Sequence, residues 1–397
     1  MKQGGWASLT LIYLYGVVSA ASLTKAIPLQ AHITHLPGAS VALFGLFVSL
    51  MAVLPAIFGT LSGAVIDRMG ARPALILAAL IGVLVNGLYT VTHSILPFEV
   101  IRVIEGAVPL LTYAAAPALM IATSAPERRP AAMALWSSYT PVGTSLGLLI
   151  SAAYASGEQW RYAYLVHGAI FAVLAVIGLA LPKAAPAGAR PVAPRRSILA
   201  LLKSQEGIAP LRLATSFGVL ILLGLGVSVV MPTYLSHHYA ISISKASSIM
   251  AVTNVVMILG STLSGVILTR GVLPANLFIA LAVVGTIAGF GVFAPWTQIA
   301  YTLGALLIWL VCTGAAMAVL ASLLPRVAGP EHRASTAGLL SQTGALTTFV
   351  TSPLWLAVLA LNQWLALFMI ILAGWAISAA LLPVQSRSSA QPRTIPG

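Results

Sequence analysis

Long apolar runs, separated by short clusters of charged residues, proline and glycine, follow one another along the whole chain. Each run lasts about 20 residues, the length a helix needs to cross a ~30 Å hydrocarbon layer. The pattern predicts membrane-spanning helices over residues 7–30, 40–66, 74–93, 97–123, 131–155, 161–182, 209–234, 244–269, 274–294, 298–324, 335–360 and 364–383. We therefore expect an all-α membrane protein with twelve transmembrane helices.

The composition excludes the main alternatives. Hydrophobic residues make up 59% of the chain and charged residues 7%, whereas a soluble domain carries about 25% charged residues. The polar surface is too small for a soluble domain, and the apolar fraction is too high for a disordered chain. The single cysteine, Cys312, has no partner within the chain, which excludes an internally disulfide-stapled scaffold.

The basic residues predict how the chain is oriented. Lys and Arg number 20 against 7 Asp and Glu, and most of them fall in loops on the side of the N-terminus. Basic residues in short loops remain in the cytoplasm. We therefore expect both termini to be cytoplasmic in a bacterial-type inner (plasma) membrane, and we interpret the positive charge as a topology signal rather than a nucleic-acid footprint.

A polar stretch rich in proline and alanine divides the chain in two. The expected organisation is an N-terminal six-helix bundle over 1–182, a cytoplasmic linker over 183–207, a C-terminal six-helix bundle over 208–385 and a cytoplasmic tail over 386–397.

The two halves share short sequence matches at corresponding places. The tetrapeptide at residues 60–63 recurs at 262–265, and Pro126-Glu127 recurs as Pro330-Glu331. Parallel repeats of six spans, with the substrate held between them near the bilayer midplane, are a known plan of secondary transporters. The matches therefore indicate two pseudo-symmetric bundles around a central chamber.

Two motifs carry a family resemblance. The run from Gly63 to Arg72 (GAVIDRMGAR) resembles the Gly-x-x-x-Asp-Arg-x-Gly-x-Arg signature of the major facilitator superfamily, and Arg102 to Gly106 resembles its Arg-x-x-x-Gly signature. The resemblance implies alternating-access transport by two six-helix bundles. Thr140-Pro141-Val142-Gly143 departs from the Gly-Pro-x-x-Gly-Gly pattern of many antiporters of the family, so that motif does not establish export.

The first motif is expected to act as a conformational gate. The resemblance implies a cytoplasmic latch that holds one access state, formed by Gly63, Asp67, Arg68, Gly70 and Arg72. The alternative is a basic topology anchor with an incidental acid.

Arg102 and Glu105 are candidates for proton coupling. Their i, i+3 spacing places them on one helix face, and ionisable groups at membrane depth are functional candidates by default. We hypothesise that Glu105 accepts a proton and that Arg102 modulates it. The alternative is a structural salt bridge.

Lys25 and His167 are the next candidates. If Lys25 faces the chamber together with Arg102, the pocket is electropositive and suits an anionic or polar solute; the alternative is a lysine that snorkels to the headgroups. His167 titrates in a range suited to proton coupling, and a local hydrogen bond is its alternative. We expect Lys25, Arg102 and Glu105 to border the water-accessible chamber.

Four further residues are expected to line the path: Tyr113, Tyr139, Asn254 and Gln342. Ordinary packing is the alternative for each. The sequence contains neither a phosphate-binding loop nor a nucleophile constellation, and its adjacent His237 and His238 make a poor metal site. We therefore expect no enzyme activity, no cofactor and no metal.

The combined prediction is a secondary transporter for a small polar or anionic organic solute. We expect protons as the coupling ion, efflux as the direction, the lipid bilayer as the environment and a monomer as the functional state. One alternative is a proton-coupled uptake permease for a small organic anion. Another is a membrane sensor or scaffold that moves no solute.

Overall fold

The computed structural model describes residues 5–182, 208–327 and 333–383, and these residues form helices joined by short loops, without a strand among them. The helices are α1 Trp6–Thr24, α2 Gln30–Thr34, α3 Val41–Leu50, α4 Val53–Met69, α5 Ala71–Val91, α6 Ile95–Glu105, α7 Ala107–Thr123, α8 Arg129–Ser137, α9 Tyr139–Ala152, α10 Tyr162–Gly178, α11 Ile208–Tyr239, α12 Ile243–Asn254, α13 Met257–Thr269, α14 Pro274–Phe293, α15 Ile299–Val327, α16 Arg333–Ala360 and α17 Trp364–Ala380.

Several spans consist of two helices separated by a short break. The pairs are α1 and α2 in the first span, α3 and α4 in the second, α6 and α7 in the fourth, α8 and α9 in the fifth, and α12 and α13 in the eighth. With these pairs joined, the part of the chain that the structure describes contains twelve helical segments at the places that the apolar runs predict.

Prolines explain the breaks in the first half of the chain. A proline removes the hydrogen bond to the carbonyl four residues earlier, and the breaks in the first, second, fourth and fifth spans lie next to that carbonyl. The prolines are Pro28, Pro55, Pro109 and Pro141. The eighth span breaks at Val255 without a proline, and Pro232 and Pro353 lie inside unbroken helices.

Glycine makes the sharp turns at equivalent places in the two halves. Gly70 joins α4 to α5 with φ of 90°, and Gly271 follows α13 with φ of 86°. This left-handed region favours glycine, because a Cβ atom there clashes with the backbone. In the gate motif, Gly70 thus supplies the turn itself.

The remaining gate residues lie around this turn. Arg68 is exposed, and the Arg72 guanidinium donates a hydrogen bond to the Leu179 carbonyl, between the third and sixth spans. The surroundings of Gly63 and the side chain of Asp67 lie outside the described part of the structure, as do the expected linker over 183–207 and the tail over 386–397. The latch and the domain boundaries stay predictions.

Two sets of spans pack into two halves that meet along a seam. In the first half, α1 packs against α9 and α5 against α10; in the second half, α11 packs against α16 and α14 against α15. The seam is formed where α3 meets α16 and where α9 meets α12. We call the side of the N-terminus the near side and the opposite side, which holds the loop before α3, the far side.

The outward faces of the helices are apolar. Leu84 is 59% exposed, Val176 is 69% exposed and Ile287 is 68% exposed. Among the described residues, nine helices are long and apolar enough to cross a membrane, and Tyr162–Gly178 and Trp364–Ala380 are shorter apolar helices. Apolar side chains of this kind face lipid in a membrane protein, so the predicted fold class is confirmed.

Candidate functional site

A cluster of ionisable side chains is buried inside the first half. The Lys25 ammonium lies 2.7 Å from Oε1 of Glu105, and Nη1 of Arg102 lies 2.8 Å from Oε2 of the same carboxylate. All three side chains are at most 1% exposed. Charges taken out of water require close partners and additional hydrogen bonds, and this cluster supplies both.

Lys25 has one acceptor for each of its three N–H bonds. Besides Glu105, the ammonium donates to Oδ1 of Asn86 at 2.6 Å and lies 3.2 Å from Nδ1 of His167. The three acceptors belong to the third, fourth and sixth spans. Lys25 therefore ties the first span to three others, and its donor capacity is fully used.

Hydrogen bonds that Asn86 and His167 donate to backbone carbonyls fix which of their atoms face Lys25. The amide nitrogen of Asn86 donates to the Gly82 carbonyl at 2.7 Å, so the amide oxygen points at Lys25. Nε2 of His167 lies 3.0 Å from the Val18 carbonyl, which can only accept. The proton of a neutral His167 is therefore on Nε2, and Nδ1 presents a lone pair to the ammonium.

The carboxylate and the guanidinium are also held from several sides. The Tyr89 hydroxyl donates to Oε2 of Glu105 at 3.0 Å. Arg102 donates to the carbonyls of Phe47 at 3.3 Å and Val48 at 3.4 Å, next to the break in the second span. The break exposes backbone oxygens to the fourth span, so the proline pattern contributes directly to this site.

Aromatic rings enclose the cluster. The Lys25 nitrogen lies 5.4 Å from the ring centre of Tyr89 and 5.2 Å from that of Tyr164, and the Arg102 guanidinium lies 5.2 Å from that of Phe47. Contacts of a cation with a ring face at these distances are attractive, most strongly away from water. The described surroundings hold one carboxylate for two cations, and the rings supply additional stabilisation for both cations.

A cavity of about 820 Å³ lies between the two halves. Its walls come from the near-side parts of several spans, including Ala134 and Ser138 in the fifth span and Ile258 and Gly265 in the eighth. On the far side of the cavity, the contacts of α3 with α16 and of α9 with α12 hold the two halves together and close the protein. The cavity therefore extends towards the near side.

The cavity wall is apolar with scattered hydroxyl groups and one amide. Among the residues whose side chains the structure describes, none that lines the cavity is Asp, Glu, Lys, Arg or His. The polar side chains on the wall are Tyr113, Ser137, Ser138, Tyr139, Thr140, Thr144, Ser228, Asn254, Ser261, Thr262, Thr313, Ser341 and Thr348.

The structure corrects the expected position of the charged candidates. Lys25, Arg102, Glu105 and His167 come together, but none of them lines the cavity. They pack within the first half because polar partners and carbonyl oxygens are available there. The condition for an electropositive pocket, that Lys25 face the chamber with Arg102, is not met in this conformation.

Hydrogen bonds connect Thr24, the chain neighbour of Lys25, with the cavity wall. Thr24, next to Lys25, donates from its hydroxyl to the Thr144 carbonyl at 2.6 Å. The Thr144 hydroxyl accepts from the Asn254 amide at 3.0 Å, and Ser228 donates to the Asn254 oxygen at 3.4 Å. Thr144 and Asn254 lie in different halves and both line the cavity, so this connection crosses the seam at the closed end.

The other residues expected on the path have mixed positions. Tyr113 and Tyr139 line the cavity with ring centres 4.9 Å apart, and Asn254 lines it as described. Gln342 is not on the wall; its amide donates to the Ala56 carbonyl at 3.2 Å, across the seam. The roles of all these residues stay predictions.

Sequence reasoning missed Asn86, Tyr89 and Tyr164 as members of the cluster. Asn86 and Tyr89 are three residues apart in the third span, so they lie on one helix face. An amide within an apolar run was the available signal, because a buried polar side chain needs a partner. The described residues contain no group of His, Cys, Asp and Glu suited to a metal ion.

Comparison with known proteins identifies the family. Residues 12–352 match the model of the Major Facilitator Superfamily. A solved structure of a D-xylose-proton symporter is similar with a TM-score of 0.77 at 14% identity, over 95% of this chain and 96% of that one. A nucleoside transporter, NupG in a mutant form, is similar with a TM-score of 0.74 at 14% identity, over 94% and 98%.

A search of curated proteins finds no match to this chain. The family match spans most of the chain, and the helical layout around a central cavity agrees with it. The chain belongs to the major facilitator superfamily and is a multi-pass membrane transporter.

Proposed function

We propose that this transporter moves a small polar organic solute by alternating access and uses protons as the driving ion. The observation that carries the proposal is the buried cluster of Lys25, Arg102 and Glu105 beside the cavity. Thr24, the chain neighbour of Lys25, donates a hydrogen bond to Thr144 on the cavity wall. Ionisable groups at membrane depth are costly. A cluster of them next to a solute-sized cavity supports proton coupling over mere packing.

The cavity supports an uncharged solute more strongly than an anion. A charged solute would need a counter-charge on a wall of low dielectric constant, since an unpaired buried charge is strongly unfavourable. The described wall offers hydroxyl groups, aromatic rings and the Asn254 amide instead. Uptake of an organic anion remains the competing assignment, and it requires Lys25 or Arg102 to reach the wall in another access state.

We propose that both termini face the cytoplasm. We also propose that the two six-helix bundles extend over 1–182 and 208–385. With this orientation the cavity faces the cytoplasm, so the structure represents an inward-facing state. The proposed direction is export in exchange for protons, from the bacterial-type inner membrane, by a monomer.

The test uses liposomes that contain the purified protein and the pH-sensitive dye pyranine. A panel of small solutes, with neutral, anionic and cationic members of matched size, is added outside. For export by exchange, an entering solute drives protons out and the lumen becomes alkaline. For uptake with protons, the lumen becomes acidic. Flux without any proton movement would remove the coupling, and the absence of flux for every solute would favour a sensor or scaffold.

A pair of variants separates the coupling site from the rest of its helix. Glu105→Gln removes the carboxylate that pairs with both cations, so it is expected to weaken solute-evoked proton movement while exchange of solute for solute continues. Glu99→Gln, on the same helix and outside the cluster, is the matched control and is expected to behave as the unmodified protein. Unchanged proton movement in Glu105→Gln would contradict a coupling role of the cluster.

A further inference from the structure

The charges in the buried cluster do not cancel. Lys25 and Arg102 are two cations around one carboxylate, Glu105, and the described acceptors of Lys25 are otherwise the neutral Asn86 and His167. With Lys25 and Arg102 protonated, Glu105 ionised and His167 neutral, the cluster carries one net positive charge away from water. A buried net charge is unfavourable, so a change of protonation that removes it is favoured over one that adds to it.

Of the two cations, only Lys25 can remove this charge by releasing a proton. A guanidinium does not deprotonate in proteins, so Arg102 stays a cation. Protonation of Glu105 would raise the net charge to two and deprive both cations of their carboxylate. Loss of a proton from Lys25 leaves a neutral Arg102–Glu105 pair with its 2.8 Å contact intact.

We propose that Lys25, and not Glu105, carries the coupling proton. An N–H bond of the Lys25 ammonium breaks, the proton leaves to water in one access state, and a neutral amine remains; the reverse step restores the ammonium in the other access state. This inference rests on the proposed proton coupling and assigns it to a residue.

Loss of that proton changes how the spans are held together. The ammonium has three N–H bonds for three acceptors, whereas the amine has two N–H bonds and a lone pair that repels the third acceptor. The contact with Asn86 in the third span or with His167 in the sixth span must therefore break. Thr24, beside Lys25, passes the change to Thr144 and to Asn254 in the other half.

The groups that face Lys25 come from all the spans packed around it. Glu105 and Arg102 belong to the fourth span, and the third and sixth spans contribute Asn86 and Tyr89, and His167 and Tyr164. The fifth span places Thr144 and Gly147 nearby, and neither of these titrates. Within these described surroundings Glu105 is the only carboxylic acid, so it is the competing carrier that the test has to exclude.

The test measures conformation against pH and needs no solute. In a Cys312→Ser background, spin labels are attached at Glu158→Cys and Gln298→Cys, exposed far-side positions in different halves. Distance distributions between the labels are recorded by electron paramagnetic resonance in lipid nanodiscs from pH 5 to 10. The ratio of the far-side closed and open populations is expected to change with pH, by up to about tenfold per pH unit, the limit for one proton.

Variants at the two candidate carriers decide the assignment. Lys25→Arg keeps a permanent cation and Lys25→Met a permanent neutral group, so both are expected to lose the pH response and to rest at opposite ends of the distribution. Glu105→Gln is expected to keep a pH response with a displaced midpoint. Size-exclusion profiles identify the variants that fold. If only one of the two Lys25 variants folds, that variant alone tests whether the pH response depends on Lys25.

The possible outcomes separate the assignment of the proton to Lys25 from proton coupling itself. A pH response that persists in the Lys25 variants and disappears in Glu105→Gln would overturn the assignment to Lys25 and leave proton coupling intact. The absence of any pH response in the background protein would overturn the assignment too, and if pyranine liposomes then show solute flux without proton movement, proton coupling itself fails.

Discussion

The two halves of the transporter differ in what they bury. The first half encloses Lys25, Arg102, Glu105 and His167, each at most 1% exposed. The described interior of the second half has no ionisable side chain of this kind and is filled by large apolar groups, including Trp309, Trp355 and Trp375, with serine, threonine and one asparagine. Both halves have a similar helical plan, so the plan itself does not require buried charge.

This difference assigns different tasks to the halves. A half with buried charges changes its internal energy when a proton binds or leaves, whereas a half packed with tryptophan does not. In the second half Trp355 donates its indole N–H to the Leu222 carbonyl at 2.9 Å, and the Ser216 and Ser378 hydroxyls lie 2.7 Å apart. We infer that the first half responds to protons and that the second half acts as a rigid counterpart. Three substitutions, each with its own control variants, test this comparison.

The largest effect is expected where the charge balance is broken. Glu105→Leu leaves Lys25 and Arg102 buried without their carboxylate, and removing one partner of a buried ion pair costs about 3–5 kcal/mol. The free energy of unfolding, measured with denaturant in mixed micelles, is expected to fall by about this amount. The loss should shrink at high pH, because release of the Lys25 proton removes one of the two uncompensated charges.

Two variants serve as references for Glu105→Leu. Glu99→Leu, on the same helix outside the cluster, is expected to change the unfolding free energy little. Arg102→Met leaves a neutral Lys25–Glu105 pair and is expected to cost less than Glu105→Leu. Equal costs for Arg102→Met and Glu105→Leu would show that charge balance does not govern this half.

An intermediate effect is expected where the first and fifth spans touch. A Cβ atom at Gly147 would clash with the Ala21 carbonyl and lie 2.7 Å from the Thr24 hydroxyl. Overpacking of a tight contact costs roughly 1–3 kcal/mol, so Gly147→Ala is expected to lower the unfolding free energy by this amount. The displaced Thr24 should also weaken the pH response of the labelled protein.

Gly87 provides the control for steric crowding, because a Cβ atom there meets nothing within 4 Å. Gly87→Ala is expected to leave both measurements near the values of the unmodified protein. If Gly147→Ala lowers stability and the pH response stays intact, the contact with Thr24 takes no part in coupling.

The sequence predicts the spans well and the charge of the cavity wall poorly, for physical reasons. Apolar length is a local property, and the prolines at 28, 55, 109 and 141 also explain breaks that shape the site. Lys25 and Glu105 stand out because a charge in an apolar run is rare. Asn86 and Tyr89 do not, since an amide or a phenol is tolerated at many places in a span.

The absence of charge from the described cavity wall could not be predicted either. Whether Arg102 faces the seam or the interior of its own half depends on how the fourth span is rotated about its axis. That rotation is set by packing against the second span, where the Phe47 and Val48 carbonyls accept from the guanidinium. Every residue type has a backbone carbonyl, so the identities of Phe47 and Val48 do not reveal these contacts in the sequence.

The smallest effect is expected at the bridge between the halves. Asn254→Ala removes the amide that donates to Thr144, and one such hydrogen bond contributes about 0.5–1.5 kcal/mol. We expect this bond to break when the far side opens, because it joins the two halves, so its loss should shift the ratio of closed to open populations by roughly 2- to 12-fold towards open. Spin-label distances between the two halves measure this shift directly.

A neighbouring residue separates bridging from local packing. Thr253 precedes Asn254 on the same helix, but its hydroxyl bonds only within that helix, to the carbonyls of Ile249 and Met250 and the Met250 sulfur. Thr253→Val is therefore expected to leave the populations unchanged. If Asn254→Ala shifts the populations and also keeps the full pH response, the bridge holds the halves together without transmitting the state of Lys25. The signal must then cross the seam by another contact, such as that of α3 with α16 or the hydrogen bond of Thr233 with Gln30.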